Sequence, residues 1–236
     1  MQKHFRNLWI VWGTLALIVF LYPINSLPLR VGLLGLSLAA FASFIWRFRK
    51  QKWLFRGSVA LVVLVVAFLI CPGRKTDPQS LRNAYLHSLR TYEGSRFVWG
   101  GENKFGVDCS GLVRAGLIKA SAEEGFRTLN PELVRFSLSL WWHDCSAKSL
   151  GEEFRNQTRH VLDAKSIKML QETSILPGDL AVTANGIHVL AFLGNGQWIE
   201  ADPAFGKVII AGIATKGNGW FDLPVRIMRW TELEAK

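Results

Sequence analysis

Asp108-Cys109-Ser110-Gly111 is the stretch whose residue types and spacing could do covalent chemistry. Asp108 is a favoured N-cap, and the apolar residues Leu112, Val113, Gly116, Leu117 and Ala120 follow at helical spacing. That places Cys109 in the first turn of a helix, where unpaired backbone N–H groups and the helix dipole favour an anion, so a lowered thiol pKa is expected there. Cys109 is therefore the candidate nucleophile.

A nucleophilic cysteine needs a base and a group that orients the base. Of the five histidines, His4 lies at the N-terminus, His87 in a predicted helix, and His143 and His160 in a long segment between helices and strands. His188 alone lies on a predicted strand. Downstream of it, Gly194-Asn195-Gly196 turns the chain and Trp198-Ile199-Glu200-Ala201-Asp202 returns beside it. Register decides which carboxylate serves. A two-residue Asn195-Gly196 turn would put His188 and Glu200 on opposite faces, whereas a three-residue loop places Asp202 opposite His188 and Glu200 diagonal to it on the same face. The chemistry requires the odd loop, with Asp202 as the alternative third residue.

The elements that must position these groups are helices first and strands later. A helix is predicted over Gln79–Tyr92, and the cysteine helix runs to about Ser121. Residues 122–176 read as mostly helical, with one helix opened by Pro131 and another over Ala164–Glu172. After Pro177-Gly178-Asp179 the period changes to two, with strands at Leu180–Thr183, Ile187–Leu193, Gln197–Asp202, Val208–Ile213 and Val225–Trp230. The order predicts an α+β domain whose cysteine helix packs on an antiparallel sheet.

Before that domain the chain is of another kind. Residues 1–72 hold eight of the 28 Lys and Arg and none of the 18 acids. Three apolar runs, Leu8–Tyr22, Leu29–Trp46 and Leu54–Cys71, read as transmembrane helices, with Trp9, Trp12, Tyr22, Trp46 and Trp53 near their ends and Arg30 lifted towards an interface. Lys3 and Arg6 precede the first run, and Arg47, Arg49, Lys50, Lys52 and Arg56 crowd the second connection, which puts both on the cytoplasmic side and residues 73–236 outside the cytoplasm. The domains are thus a membrane region, 1–72, and an extracytoplasmic domain, 73–236. The formal net charge of +10 is concentrated in the first, so it reports topology and not a nucleic-acid surface. Cys71, Cys109 and Cys145 are too few for a disulfide framework and lack zinc-ligand spacing, so neither metal nor cofactor is implied; a Cys109–Cys145 bridge would abolish the nucleophile.

With these residues in hand, the region from about Arg90 to Trp230 resembles the NlpC-type cysteine peptidases, papain-like bacterial enzymes that cut peptidoglycan stem peptides. The carriers are Trp99-Gly100-Gly101, Asp108-Cys109-Ser110-Gly111-Leu112-Val113, Leu176-Pro177-Gly178-Asp179-Leu180, His188-Val189, Gly194-Asn195-Gly196 and Glu200-Ala201. The resemblance implies a papain-like fold with Cys109 as nucleophile, His188 as base and Glu200, twelve positions after the histidine, as third residue. His, Asn or Gln is commoner in the family there. Phe97 stands where the family often has a tyrosine near the oxyanion. Trp99, Asp108, Ser110, Trp141 and Trp142 are the candidates for contacting substrate. The expected location is the bacterial cytoplasmic membrane, and the expected partner a peptidoglycan peptide. Two rivals share the sequence: an inactive papain-like scaffold, which Phe97 favours, and a cysteine amidase or acyltransferase acting on a lipid or small amide, which the membrane tether permits.

Overall fold

In a computed structural model, residues 7–234 are described. Lys3, Arg6 and His4, named above, lie outside them. Three apolar helices open the chain: α1 (Leu8–Leu21), α2 (Leu27–Phe48) and α3 (Lys52–Ile70). Helices α2 and α3 are long and apolar enough to cross a bilayer. Helix α1 has 14 residues, a rise of about 21 Å against a hydrocarbon core of about 30 Å, so the third span rests on composition rather than length. Trp9 of α1 packs edge-on against Phe44 of α2, centroids 5.8 Å apart. Arg30, expected near an interface, has its side chain fully buried against Glu102 at the junction with the following domain.

That domain begins with α4 (Pro78–Arg90), whose first turn is capped by the Asp77 carboxylate. A small hairpin, β1 (Glu102–Asn103) and β2 (Gly106–Val107), leads into the cysteine helix α5 (Cys109–Arg127). Asn130 caps α6 (Pro131–Trp142), and the short α7 (Ala147–Gly151) follows. The remaining strands are β3 (Thr158–Ala164), β4 (Leu180–Thr183), β5 (Val189–Gly194), β6 (Gln197–Asp202), β7 (Lys207–Ala211) and β8 (Val225–Trp230). They form one antiparallel sheet in the order β3-β8-β4-β5-β6-β7.

Both faces of the sheet are covered. Val189, Ala191, Ile199 and Ala201 share a core with Leu81, Tyr85 and Leu89 of α4 and Leu112, Val113 and Leu117 of α5. On the other face Leu190, Phe192 and Trp198 pack with Ile167, Ile175 and Phe221 from the connecting segments. The α+β expectation, with a cysteine helix on an antiparallel sheet, describes this domain.

The 122–176 segment departs from its helical reading. Thr158–Ala164 is a strand paired with β8, and Ala164–Glu172 is not a continuous helix but contains one 3₁₀ turn, with a second at its end. Strand β8 offers an unpaired ladder along that edge, and backbone pairing together with burial of Ile167 overrides the weak local helical spacing. His160 therefore sits on a strand.

Candidate active site

The Asp108 side chain organises the start of α5. One carboxylate oxygen accepts from the Gly111 N–H at 2.6 Å and the Ser110 hydroxyl at 3.0 Å, and the other accepts from the Gly100 N–H at 2.7 Å. The Asp108 N–H donates to the Gly101 carbonyl. The helix start and the Trp99–Glu102 loop are thereby one unit. Only glycine fits at position 111, because a Cβ there would overlap the Gly101 carbonyl oxygen.

Cys109, capped in this way, is 93 % shielded from solvent, a free thiol like Cys71 and Cys145. Its sulfur lies 3.9 Å from the Ile187 carbonyl oxygen and against the Val189 N–H, so it meets the chain on both sides of His188. The expectation of a lowered thiol pKa is overturned. Burial pushes the thiol up to about 12, the Asp108 carboxylate pushes the same way, and backbone N–H groups of Val189, Ser110 and Cys109 offset only part of this. In this closed site desolvation outweighs the helix terminus.

His188 is not within a strand; it directly precedes β5. Its N–H donates to the Thr183 hydroxyl and its carbonyl accepts from the Thr183 N–H, both at 3.0 Å, closing the β4–β5 turn. His188 Nε2 is 2.6 Å from Glu200 Oε2, and both side chains are buried. Among the described residues the imidazole Nδ1 makes no hydrogen bond, to the Cys109 sulfur or to any other group.

The register that joins them combines the two alternatives posed by the sequence. Asn195 and Gly196 both have positive φ, the signature of a two-residue type I′ turn, and Gly194 pairs with Gln197 across it. A bulge between Phe192 and Gly194 then shifts the ladder by one, so that Phe192 faces Trp198 and Ala191 faces Ile199. One extra residue turns Glu200 to the His188 side, which the tight turn alone would not have done.

Asp202 serves elsewhere. One of its oxygens accepts from the Ala204 and Phe205 N–H groups, and the other from the Trp220 indole at 2.9 Å. Of the two carboxylates, Glu200 is the one that reaches the imidazole.

Two residues of the site were not found by reading the sequence. Asn218 Nδ2 donates to the second oxygen of Glu200, while Asn218 Oδ1 accepts from the Trp220 N–H at 3.1 Å. The Trp220 ring stacks on His188, with centroids 4.1 Å apart and planes 16° apart. Both lie in Gly217-Asn218-Gly219-Trp220, a turn signal eighteen residues beyond Glu200 whose only hint was that a buried carboxylate needs donors.

The substrate-contact candidates divide. Asp108 and Ser110, the chain neighbours of Cys109, line a cavity of about 450 Å³ whose lining includes neither Cys109 nor His188. Trp99 is exposed, its ring 6.2 Å from that of Phe97. Trp141 belongs to a separate cavity of about 260 Å³, among Leu29, Leu33 and Ile118, and the Arg30 guanidinium lies over its ring. Trp142 is partly exposed and gives its carbonyl to Arg30.

A chain with this helix, sheet and buried pair matches known proteins over the same region. A 125-residue stretch is 34% identical to peptidoglycan endopeptidase RipB of Mycobacterium tuberculosis, covering 52% of this chain and 39% of that protein, so the chain spans well under half of this relative. The solved structure of that peptidoglycan hydrolase aligns with a TM-score of 0.40 at 20% identity, over 66% of this chain and 67% of the other. The P60 domain of antigen MAP1204 from M. avium subspecies paratuberculosis gives a TM-score of 0.40 at 20% identity over 67% and 98%. The family model described as NlpC/P60 matches residues 94–222, more than half of the chain and a span that holds Cys109, His188, Glu200 and Asn218, and the chain belongs to the NlpC/P60 family.

Proposed function

We propose that this chain is a membrane-anchored cysteine peptidase that hydrolyses an amide bond in peptidoglycan stem peptides, with Cys109 as nucleophile, His188 as general base and acid, and Glu200 as the orienting carboxylate. The observation that carries the reading is the buried His188–Glu200 hydrogen bond at the strand edge against which the Cys109 sulfur is lodged. Family membership and the name of the 34% identical relative support the substrate class.

The chemistry follows from the burial. With the thiol held neutral, His188 removes its proton as the sulfur attacks the amide carbonyl. Glu200 fixes the tautomer with the proton on Nε2 and stabilises the imidazolium that forms. His188 then protonates the leaving amine, and water hydrolyses the thioester with His188 again as base. Phe97 supplies no hydroxyl, so the backbone N–H at the start of α5 carries oxyanion stabilisation.

The membrane reading takes α1 as the third span. The C-terminal end of α1, the N-terminal end of α2 and the C-terminal end of α3 all touch the peptidase domain, as an alternation of three spans requires. Arg135 donates to the Leu69 and Cys71 carbonyls and so caps α3. The basic cluster from Arg47 to Arg56 then lies on the cytoplasmic side and the domain outside. Reporter fusions after Arg49 and after Lys236 are expected to report opposite sides; the same side for both would refute the topology.

The activity is tested by digesting purified peptidoglycan with the full chain in detergent, beside Cys109→Ala, and identifying products by mass. Stem-peptide fragments from the parent alone are expected. A folded parent that yields none, and whose Cys109 a small thiol reagent fails to label, would favour the inactive scaffold that Phe97 suggests.

A further inference from the structure

The connection between α1 and α2 does more than join two helices. Ile24 forms an antiparallel bridge with Gly101, the Asn25 N–H donates to the Gly100 carbonyl, and the Glu102 N–H donates to the Pro23 carbonyl. Residues 23–25 thus lie as an extra strand along the loop that Asp108 ties to the start of the cysteine helix.

A charge network centred on the buried Arg30 holds that strand in place. Arg30 contacts Asp144 at 2.6 Å and Glu102 at 3.5 Å, and donates to the Trp142 carbonyl and to Asn25. Arg114 of α5 pairs with the other oxygen of Glu102, and Asn25 Nδ2 donates to Glu102 at 2.7 Å. A fully buried guanidinium is costly unless every donor is met, so Arg30 holds the connection against this one partner surface.

The cavity lined by Asp108 and Ser110, the two chain neighbours of Cys109, is completed by the same connection. Asn25 and Ser26 line it together with Asp108, Ser110, Cys145 and Ser149. Its lining carries the hydroxyls of Ser26, Ser110, Ser146 and Ser149, the Asn25 amide and the carboxylates of Glu102, Asp108 and Asp144, which suits the amide and amino groups of a peptide rather than an acyl chain.

We propose that the α1–α2 connection is a wall of the substrate cleft, with Ser26 a specificity-determining residue and Arg30 a positioning residue acting through Glu102 and the Trp99–Glu102 loop. The proposal rests on the peptidase reading for its substrate, a polar stem peptide, and on the contacts above for the wall. The catalytic unit is then the whole chain, and the membrane segment selects substrate as well as anchoring the domain.

The test uses the full chain in lipid nanodiscs, with Cys71→Ser and Cys145→Ser so that Cys109 is the only thiol. Ser26→Trp is expected to raise KM for a stem peptide about tenfold or more while kcat stays within about threefold, the signature of lost substrate binding. The same variant is expected to slow labelling of Cys109 by a bulky maleimide and to leave labelling by iodoacetamide unchanged. Ser26→Leu, which adds less bulk, gives the same ordering with smaller changes, and Arg30→Met is expected to raise KM by loosening the wall. A folded Ser26→Trp with KM and bulky labelling both unchanged would overturn the proposal. If the parent turns over no stem peptide, the labelling alone decides: slowed labelling keeps the wall while the peptidase reading falls, and unchanged labelling overturns the wall.

Discussion

Glu200→Gln is the substitution on which the site's hydrogen bonds make the sharpest statement. Glu200 accepts twice, from His188 Nε2 at 2.6 Å and from Asn218 Nδ2, and Asn218 cannot turn round because its Oδ1 accepts from the Trp220 N–H. Glutamine has one acceptor and one donor end. If its oxygen faces Asn218, its NH₂ faces His188 and forces the proton onto Nδ1, the wrong tautomer for a base; the analogous loss in other triads reaches about 10⁴-fold in turnover. If its oxygen faces His188, its NH₂ meets the Asn218 donor, and the charge-assisted bond to the imidazolium, about 1.5–3 kcal/mol, is lost as well. Either way kcat is expected to fall by about 10² to 10⁴-fold with KM little changed. Adding Asn218→Asp supplies an acceptor for both the glutamine NH₂ and the Trp220 N–H, so the double variant is expected to recover about tenfold or more of the lost kcat. The assay is stem-peptide turnover with product identification, on variants shown to be folded by circular dichroism. Turnover within about threefold of the parent in Glu200→Gln, or no recovery in the double variant, would refute the reasoning.

Other consequences can be checked in the same preparations. Asp202→Asn keeps one acceptor oxygen for the Ala204 and Phe205 N–H groups but turns an NH₂ towards the Trp220 indole N–H and touches no bond to the imidazole, so it is expected to cost about 1–3 kcal/mol of stability by denaturant titration and to lower kcat far less than Glu200→Gln; the reverse ranking would reassign the third residue. Alkylation of Cys109 by iodoacetamide is expected to keep rising with pH beyond 9, because burial moves the thiol from 9.0 to about 12; a plateau below pH 8 would mean a resting thiolate–imidazolium pair. The same shift favours the neutral thiol in the fold, so its contribution to stability is whole below the unfolded value near 9 and declines as pH rises towards 12. Asp108→Ala loses the helix cap and the bond to the Gly100 N–H, an expected cost of about 2–3 kcal/mol, while removal of its charge speeds Cys109 labelling; unchanged stability would show that the loop is held by other contacts.

What the sequence made legible was local, or constrained by a single alternation. Asp108 before a helical apolar pattern announced the capped cysteine helix, and the even spacing of His188 and Glu200 confined the pair to one register class. The bulge near Leu193 that achieves the register was hidden, because a tight Asn-Gly turn and an odd loop give the same residues on paper. Long-range partners were out of reach. Asn218 and Trp220 come to Glu200 and His188 through a loop with no period, and β3 owes its conformation to the free edge of β8 rather than to its own residues. Arg30 was conspicuous as a charge in an apolar run, yet nothing near it in sequence pointed to Glu102 and Asp144. The thiol pKa failed for a physical reason: a first-turn position lowers it only where solvent or a cation can reach the sulfur, and Cys109 is closed in by the backbone around His188.

The claim that Cys109 attacks a stem-peptide carbonyl is tested most directly by trapping the thioester. The full chain is mixed with a stem peptide, quenched in acid within the first turnover, and its intact mass and Cys109-containing fragment are measured. A mass increase on Cys109 equal to the acyl half of the peptide, absent from Cys109→Ala and decaying as free product appears, is the predicted result. Product released with no acylated Cys109 at any time, or undiminished release by Cys109→Ala, would contradict it.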